Sequence, residues 1–135
     1  MNVWLALTHE IHPHHKAARA WSETIPDDTV LFFCRITQLG LLRLLTNQSA
    51  MAEEALTQQQ AWEVFDALLA SPSNRMTDEP AGVDSHFRAR TSSPEASTKQ
   101  WADGYLAAFA EAAGLQLVTF DRALAGKTKN ALLLG

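Results

Sequence analysis

The stretch Leu117-Val118-Thr119-Phe120-Asp121-Arg122 limits the fold most, because it is an apolar run that stops abruptly in a carboxylate. Leu115, Leu117, Val118 and Phe120 are apolar and Gly114 punctuates the start, so the run reads as a buried strand with Asp121 at its C-terminal tip. One helix's length upstream stands Trp101-Ala102-Asp103-Gly104-Tyr105-Leu106-Ala107. Ala102, Tyr105, Leu106, Phe109 and Ala113 fall on one helical stripe, with Thr98 placed to cap it and Gly114 to end it. Asp103 then lies in the first turns, where the helix dipole favours a carboxylate. In a parallel α/β sheet, ligands bind at the edge formed by the strands' C-terminal ends, so Asp103 and Asp121 are expected to converge on one cation. Magnesium asks for only one or two protein carboxylates and keeps several waters. An Asp at a strand end also caps turns, and an Asp early in a helix also complements the dipole, so the residues alone leave both readings open.

The remaining segments alternate in the same way. The spacing of His14, Ala17, Ala18 and Trp21 predicts a helix from Pro13 to Ser22, and Asp27-Asp28 a turn. Val30-Leu31-Phe32-Phe33-Cys34 is dense and β-type, and predicts a buried strand. Thr37 is placed to cap an apolar helix over Leu39 to Leu45, which needs cover over most of its circumference. Thr57 caps Gln58 to Leu69, where Ala61, Val64, Phe65 and Leu68 recur at helical spacing, and Ser71-Pro72-Ser73 ends it. From Arg75 to Ser97 the pattern weakens, with a short helical turn expected at Val83 to Arg90 and a last edge strand at Ala131 to Leu134. Alternating strands and helices predict an α/β domain with a parallel sheet. The opening Met1-Asn2-Val3-Trp4-Leu5-Ala6-Leu7-Thr8 has no clean helix start.

With 135 residues and 47% hydrophobic content, one domain over 1–135 is expected. A net charge of −4 provides no global basic field for nucleic acid. Any such contact must use local groups, namely Arg35, Arg43, Arg88, Arg90, Arg122, Lys127 and Lys129. The single Cys34 excludes an internal disulfide and suits a reducing compartment. The apolar run Val3 to Leu7 is far shorter than a membrane span and follows no basic leader, so a cytoplasmic protein with no membrane association is expected.

Other chemistries find less support. His9, Glu10, His12, His14 and His15 crowd the start, but no cysteine or third spaced ligand completes a closed zinc site and no His-Glu-x-x-His pattern occurs. Asp78 and Glu79 run directly into Pro80 and read as a turn. There is no Gly-x-Ser-x-Gly elbow and no phosphate-binding glycine loop, and Cys34 sits in an apolar run that disfavours a thiolate.

At several of these residues the chain resembles PIN-domain proteins of the VapC toxin family. The resemblance covers nearly the whole length and rests on Asn2-Val3-Trp4-Leu5-Ala6-Leu7, on Arg35 to Asn47, on Trp101 to Ala108 and on Val118-Thr119-Phe120-Asp121-Arg122. It implies a three-layer α/β/α fold with a central parallel sheet and a Mg2+- or Mn2+-dependent endoribonuclease that cleaves RNA phosphodiesters with an activated water. It also implies a homodimer and inhibition by a VapB-like antitoxin. On this resemblance Asp103 matches the family's helix-borne metal ligand, Asp121 its strand-end acid, and Asn2 and Thr119 polar neighbours of the site. Two departures stand out. The family usually opens with a hydrophobic strand ending Asp-x-Asn, whereas only Met1 precedes Asn2 here, so a truncated first strand and weakened metal binding are expected. That departure also motivates an alternative, a catalytically inactive module that binds an antitoxin or partner. Gly40 or Gln38 stands where many relatives carry a glutamate, an acid this branch commonly lacks.

Overall fold

The computed structural model describes residues 2–135, with side chains from Val3 onward, and divides into two compact units, Met1–Asp78 and Glu79–Gly135. Unit 1 runs α1 (Asn2–Thr8), α2 (His15–Thr24), β1 (Leu31–Phe33), α3 (Arg35–Leu45), α4 (Gln48–Met51), a 3-10 turn (Ala52–Glu54), α5 (Gln58–Leu69) and β2 (Asn74–Met76). Unit 2 runs α6 (Val83–Arg90), α7 (Lys99–Ala113), β3 (Leu117–Thr119), α8 (Arg122–Gly126) and β4 (Ala131–Leu133).

Unit 1 is organised by aromatic packing. Trp4 of α1 stacks on Phe33 of β1 with ring centroids 3.9 Å apart, and Phe65 of α5 meets Phe33 edge-on at 5.0 Å. Leu41 and Leu45 of α3, Met51 of α4 and Ala61 of α5 close the core around them. Offset-stacked and edge-to-face rings of this kind contribute beyond the area they bury. Thr57 caps α5 as its spacing predicts, accepting from Gln60 N–H at 3.1 Å while Gln60 Oε1 accepts from Thr57 N–H at 3.0 Å. The start of α3 differs from the expectation. The helix begins at Arg35, because Thr37 caps from inside its first turn and accepts from Cys34 N–H at 2.9 Å. Most of the circumference is covered as expected, but Leu39 stays half exposed.

The parallel pairing expected of an α/β chain is present, grouped as two two-stranded sheets. In unit 1, β1 pairs with β2 with Leu31 opposite Asn74. The ladder extends through Leu31 N–H to Ser73 O at 2.7 Å and Thr77 N–H to Phe33 O at 2.8 Å. β2 was hidden in the weak region, since Asn74-Arg75-Met76 carries no apolar alternation. In unit 2, β3 pairs with β4, Leu117 opposite Ala131, so the last strand forms where expected but ends at Leu133. No strand precedes β1 among the described residues; the opening apolar run is helical instead, with Thr8 Oγ1 donating back to Trp4 O at 3.0 Å.

Helix α7 is the spine of unit 2. Its buried face is wider than the predicted stripe: Leu106, Ala107, Ala108, Phe109 and Ala110 are all buried, and Ala113 is exposed. Gly114 ends it in the left-handed region at φ 67°, a conformation favoured by glycine, and Leu115 N–H closes the end on Ala110 O at 2.9 Å. Helix α6 packs so tightly against α7 that a Cβ on Gly104 would stand 2.5 Å from Thr91 Cγ2. Thr91 is itself tied down, its hydroxyl donating to Phe87 O at 2.7 Å. At the other end of α7, Glu111 gathers three basic groups: Arg90 Nη2 at 2.6 Å, Lys129 Nζ at 3.1 Å and His86 Nδ1 at 3.5 Å. Arg90 also donates to Lys127 O, so one guanidinium ties α6 to α7 and to the segment before β4.

Two outcomes follow. Gly104→Ala forces Thr91 to move and costs about 1–3 kcal/mol of stability, and Thr91→Ser in the same chain recovers most of it by removing the clashing methyl; equal thermal midpoints for wild type and Gly104→Ala would refute the close approach. Hydrogen bonds from Arg90 and Lys129 lower the Glu111 pKa to about 2. Its folded pKa is depressed, so its contribution is complete above the ordinary carboxylate range and is lost as pH falls towards about 2. Glu111→Gln should therefore flatten the loss of urea resistance between pH 5 and 2.5, measured against wild type.

Candidate metal centre

The strand-to-helix turn after β3 fixes Asp121. Asp121 N–H donates to Thr119 Oγ1 at 3.0 Å, and Asp121 Oδ1 accepts from Leu124 N–H at 3.1 Å, capping α8. Capping occupies Oδ1 and leaves Oδ2 to face a cation. The Leu124 N–H first, and then the Lys99 ammonium, hold the Asp121 carboxyl below its usual range. Thr119 is buried at 9% exposure, and its hydroxyl is committed to the Asp121 backbone.

Asp103 projects from the second turn of α7 with its side chain 13% exposed. Its Oδ2 is buried and accepts no hydrogen bond. A buried carboxylate oxygen without a donor is costly, and such a group in a native structure calls for a counter-charge or a ligand. The counter-charge is Lys99, four residues earlier on the same helix. Its Nζ lies 3.9 Å from Asp103 Oδ2 and 3.1 Å from Asp121 Oδ2. The hydrogen bond to Asp121, and then the charge of Asp103, raise the Lys99 pKa.

Asp103 and Asp121 therefore meet at one positive charge, the Lys99 ammonium. Asn2, the fourth site residue expected from the sequence, lies outside the residues whose side chains are described. Among the described residues no set of three or more His, Cys, Asp or Glu side chains is placed to share an ion. The amino-terminal histidines are engaged separately. His9 Nδ1 lies 3.4 Å from Glu54 Oε2, His12 Nδ1 accepts from His14 N–H at 3.0 Å, and His15 Nδ1 is 2.6 Å from Ala6 O. The Asp103–Asp121 pair still fits a divalent cation, because an orphaned buried oxygen of Asp103 and the Asp121 oxygen not used in capping, which Lys99 holds, both reach the same ammonium and both are hard anionic donors.

Lys99 is the site residue the sequence reading missed. Its signal was present in the i, i+4 spacing of Lys99 and Asp103, which puts both on one helix face. The second partner, Asp121, is 22 residues away and emerges only with the fold. Of the basic residues available for nucleic acid, Arg90 and Lys129 are spent on Glu111, and Arg88 pairs with Asp84 at 2.7 Å. Arg122, exposed and next to Asp121, forms no ion pair among the described residues. No helix among the described residues is long and apolar enough to cross a membrane.

The family model for the PIN domain matches residues 1–129. In two strains of Mycobacterium tuberculosis the chain is similar to Ribonuclease VapC41, with 43% identity over 126 residues that cover 90% of this chain and 86% of the relative. The carboxylates of α7 and of the β3 tip thus stand in a sequence that matches that family almost from end to end, and the chain belongs to the PIN-domain family, in its VapC ribonuclease branch.

Proposed function

We propose that the chain is an endoribonuclease toxin of a toxin-antitoxin pair, and that Asp103 and Asp121 hold the divalent ion on which RNA cleavage depends. The observation that carries the reading is the convergence of the two carboxylates on one cationic position, with Asp103 Oδ2 buried and lacking a donor. Membership of the VapC ribonuclease branch supports the reaction class. We take Mg2+ or Mn2+ as the ion, since both accept hard oxygen ligands and retain waters at a site with few protein donors.

Held by Asp103 and Asp121, a divalent cation would supply charge neutralisation for a scissile phosphodiester and would lower the pKa of a bound water. The chain's own part is positioning. Asp103 is fixed by a helix whose interior face is packed. Asp121 is fixed by its cap and by Thr119, so Oδ2 points to the cation while Oδ1 stays with Leu124. Arg122 is placed to meet an RNA phosphate, because it adjoins Asp121 and forms no ion pair among the described residues. This matters in a chain of net charge −4, where phosphate contacts have to be local.

We assign the described units to a single functional domain, given that the family model runs through both. A VapB-like antitoxin is the expected inhibitor, a homodimer the expected assembly and the cytoplasm the expected compartment. The half-exposed Leu39 on α3 is a candidate contact for the dimer or the antitoxin.

Two substitutions separate charge from structure. Asp103→Asn should lower RNA cleavage at least about 100-fold with Mg2+ or Mn2+ present, while the thermal midpoint holds or rises, because the unsatisfied charge is gone. Asp121→Ala should lose activity and about 1 kcal/mol of stability with the cap, whereas Asp121→Asn keeps the cap and loses only activity. Full cleavage by Asp103→Asn would remove the site assignment.

A further inference from the structure

Lys99 opens α7, and its side chain is 63% exposed. Among the described residues its ammonium is the cation that reaches both site carboxylates, and the two distances are unequal. At 3.1 Å it hydrogen-bonds Asp121 Oδ2, but at 3.9 Å it gives Asp103 Oδ2 charge without a hydrogen bond. One ammonium thus compensates two carboxylates incompletely, and the more buried of the pair is the one left short. An ordinary surface ion pair would join two exposed groups and leave no orphan behind. Here the lysine stands where two carboxylate oxygens converge, on a stem long enough to carry its head into water.

We propose that Lys99 is a built-in counter-cation that occupies the position of the divalent ion between Asp103 and Asp121 and must swing out for that ion to enter. The proposal rests on the reading of these two carboxylates as the metal ligands. It follows that Lys99 steadies the carboxylate pair while no ion is bound and holds metal affinity below what the two carboxylates alone would give. The site then requires a free-ion concentration high enough to displace its own lysine. The displaced ammonium remains at the mouth of the site and offers a positive charge beside Arg122.

The test is Mn2+ binding to the metal-stripped full chain, followed by calorimetry and by the paramagnetic signal of free Mn2+, so that the readout does not depend on RNA cleavage. Four proteins are compared: wild type, Lys99→Met, Lys99→Arg and Asp103→Asn. Lys99→Met should bind Mn2+ about tenfold more tightly at low ionic strength, with the gain shrinking at about 0.5 M salt as screening takes over. Lys99→Arg, which keeps the charge, should stay close to wild type. Lys99→Gln, added as a fifth protein, should repeat the Lys99→Met result, and circular dichroism of each variant establishes that it is folded. If Asp103→Asn abolishes binding but Lys99→Met binds no more tightly than wild type, Lys99 is a surface ion pair only and the proposal falls while the metal site stands. Tightening by Lys99→Arg equal to that of Lys99→Met would also overturn it. Equal binding by wild type and Asp103→Asn, or binding by none of the four, would take down the metal-site reading and this proposal together.

Discussion

Two carboxylates can be held towards one point only if something positive stands between them. As a general magnitude, two like unit charges about 6 Å apart at an effective dielectric of about 20 repel by about 3 kcal/mol, a sizeable share of a small domain's net stability. Unit 2 brings Asp103 and Asp121 within 3.9 Å and 3.1 Å of the same Lys99 nitrogen. The placement of α7 against β3 and α8 is compatible with that charge, and would be opposed without it. On the proposed reading, the position where Lys99 offsets the repulsion between the two carboxylates is also the position that a divalent ion would claim.

The precision of that meeting is set elsewhere in the unit. Asp103 is delivered by a helix buried along Leu106 to Ala110, whose approach to α6 is as close as the lack of a side chain at Gly104 permits. Asp121 is delivered by a turn in which the Thr119 hydroxyl and the Leu124 amide hold backbone and carboxylate in one arrangement. Far along α7, Glu111 gathers Arg90, Lys129 and His86 and keeps the C-terminal segment in register with the helix. Glu111 therefore acts as a fastener, whereas Asp103 is the proposed ligand, and the difference lies in their partners. Glu111 is satisfied by hydrogen bonds from two cations, and Asp103 Oδ2 by none.

What the sequence made legible follows the reach of each interaction. Thr57 with Gln60, and Gly114 after Ala113, are signals contained within one turn of chain, and the boundaries of α5 and the end of α7 come out as read. The tip position of Asp121 was legible for the same reason, since an apolar run ending in an acid is a local pattern. β2 was not, because Asn74-Arg75-Met76 is a strand through its pairing with Leu31-Phe32-Phe33 rather than through its own alternation. α1 was not legible either, because the stretch carries no cap signal and Trp4 is held by stacking on Phe33, a contact 29 positions away. Lys99 was half legible: the helix supplies its spacing to Asp103, and only tertiary structure supplies Asp121.

The charge balance of the chain gives these details a common sense. An acidic protein that handles a polyanion cannot rely on its overall field, and most of the basic side chains of unit 2 are already tied to acids of the same unit. The attraction has to be local, and on the proposed reading it is a cation between Asp103 and Asp121 with Arg122 next in sequence. Such an arrangement favours a phosphate only when the central charge is in place. With Lys99 alone the pair keeps a net charge of about −1; on the proposed reading a divalent ion would match the two carboxylates, and the surplus positive charge that favours a phosphodiester would come from Lys99 and Arg122 beside it. If Asp103 and Asp121 hold the ion as proposed, recognition and catalysis share the charge held by two aspartates, and a global basic surface would be redundant.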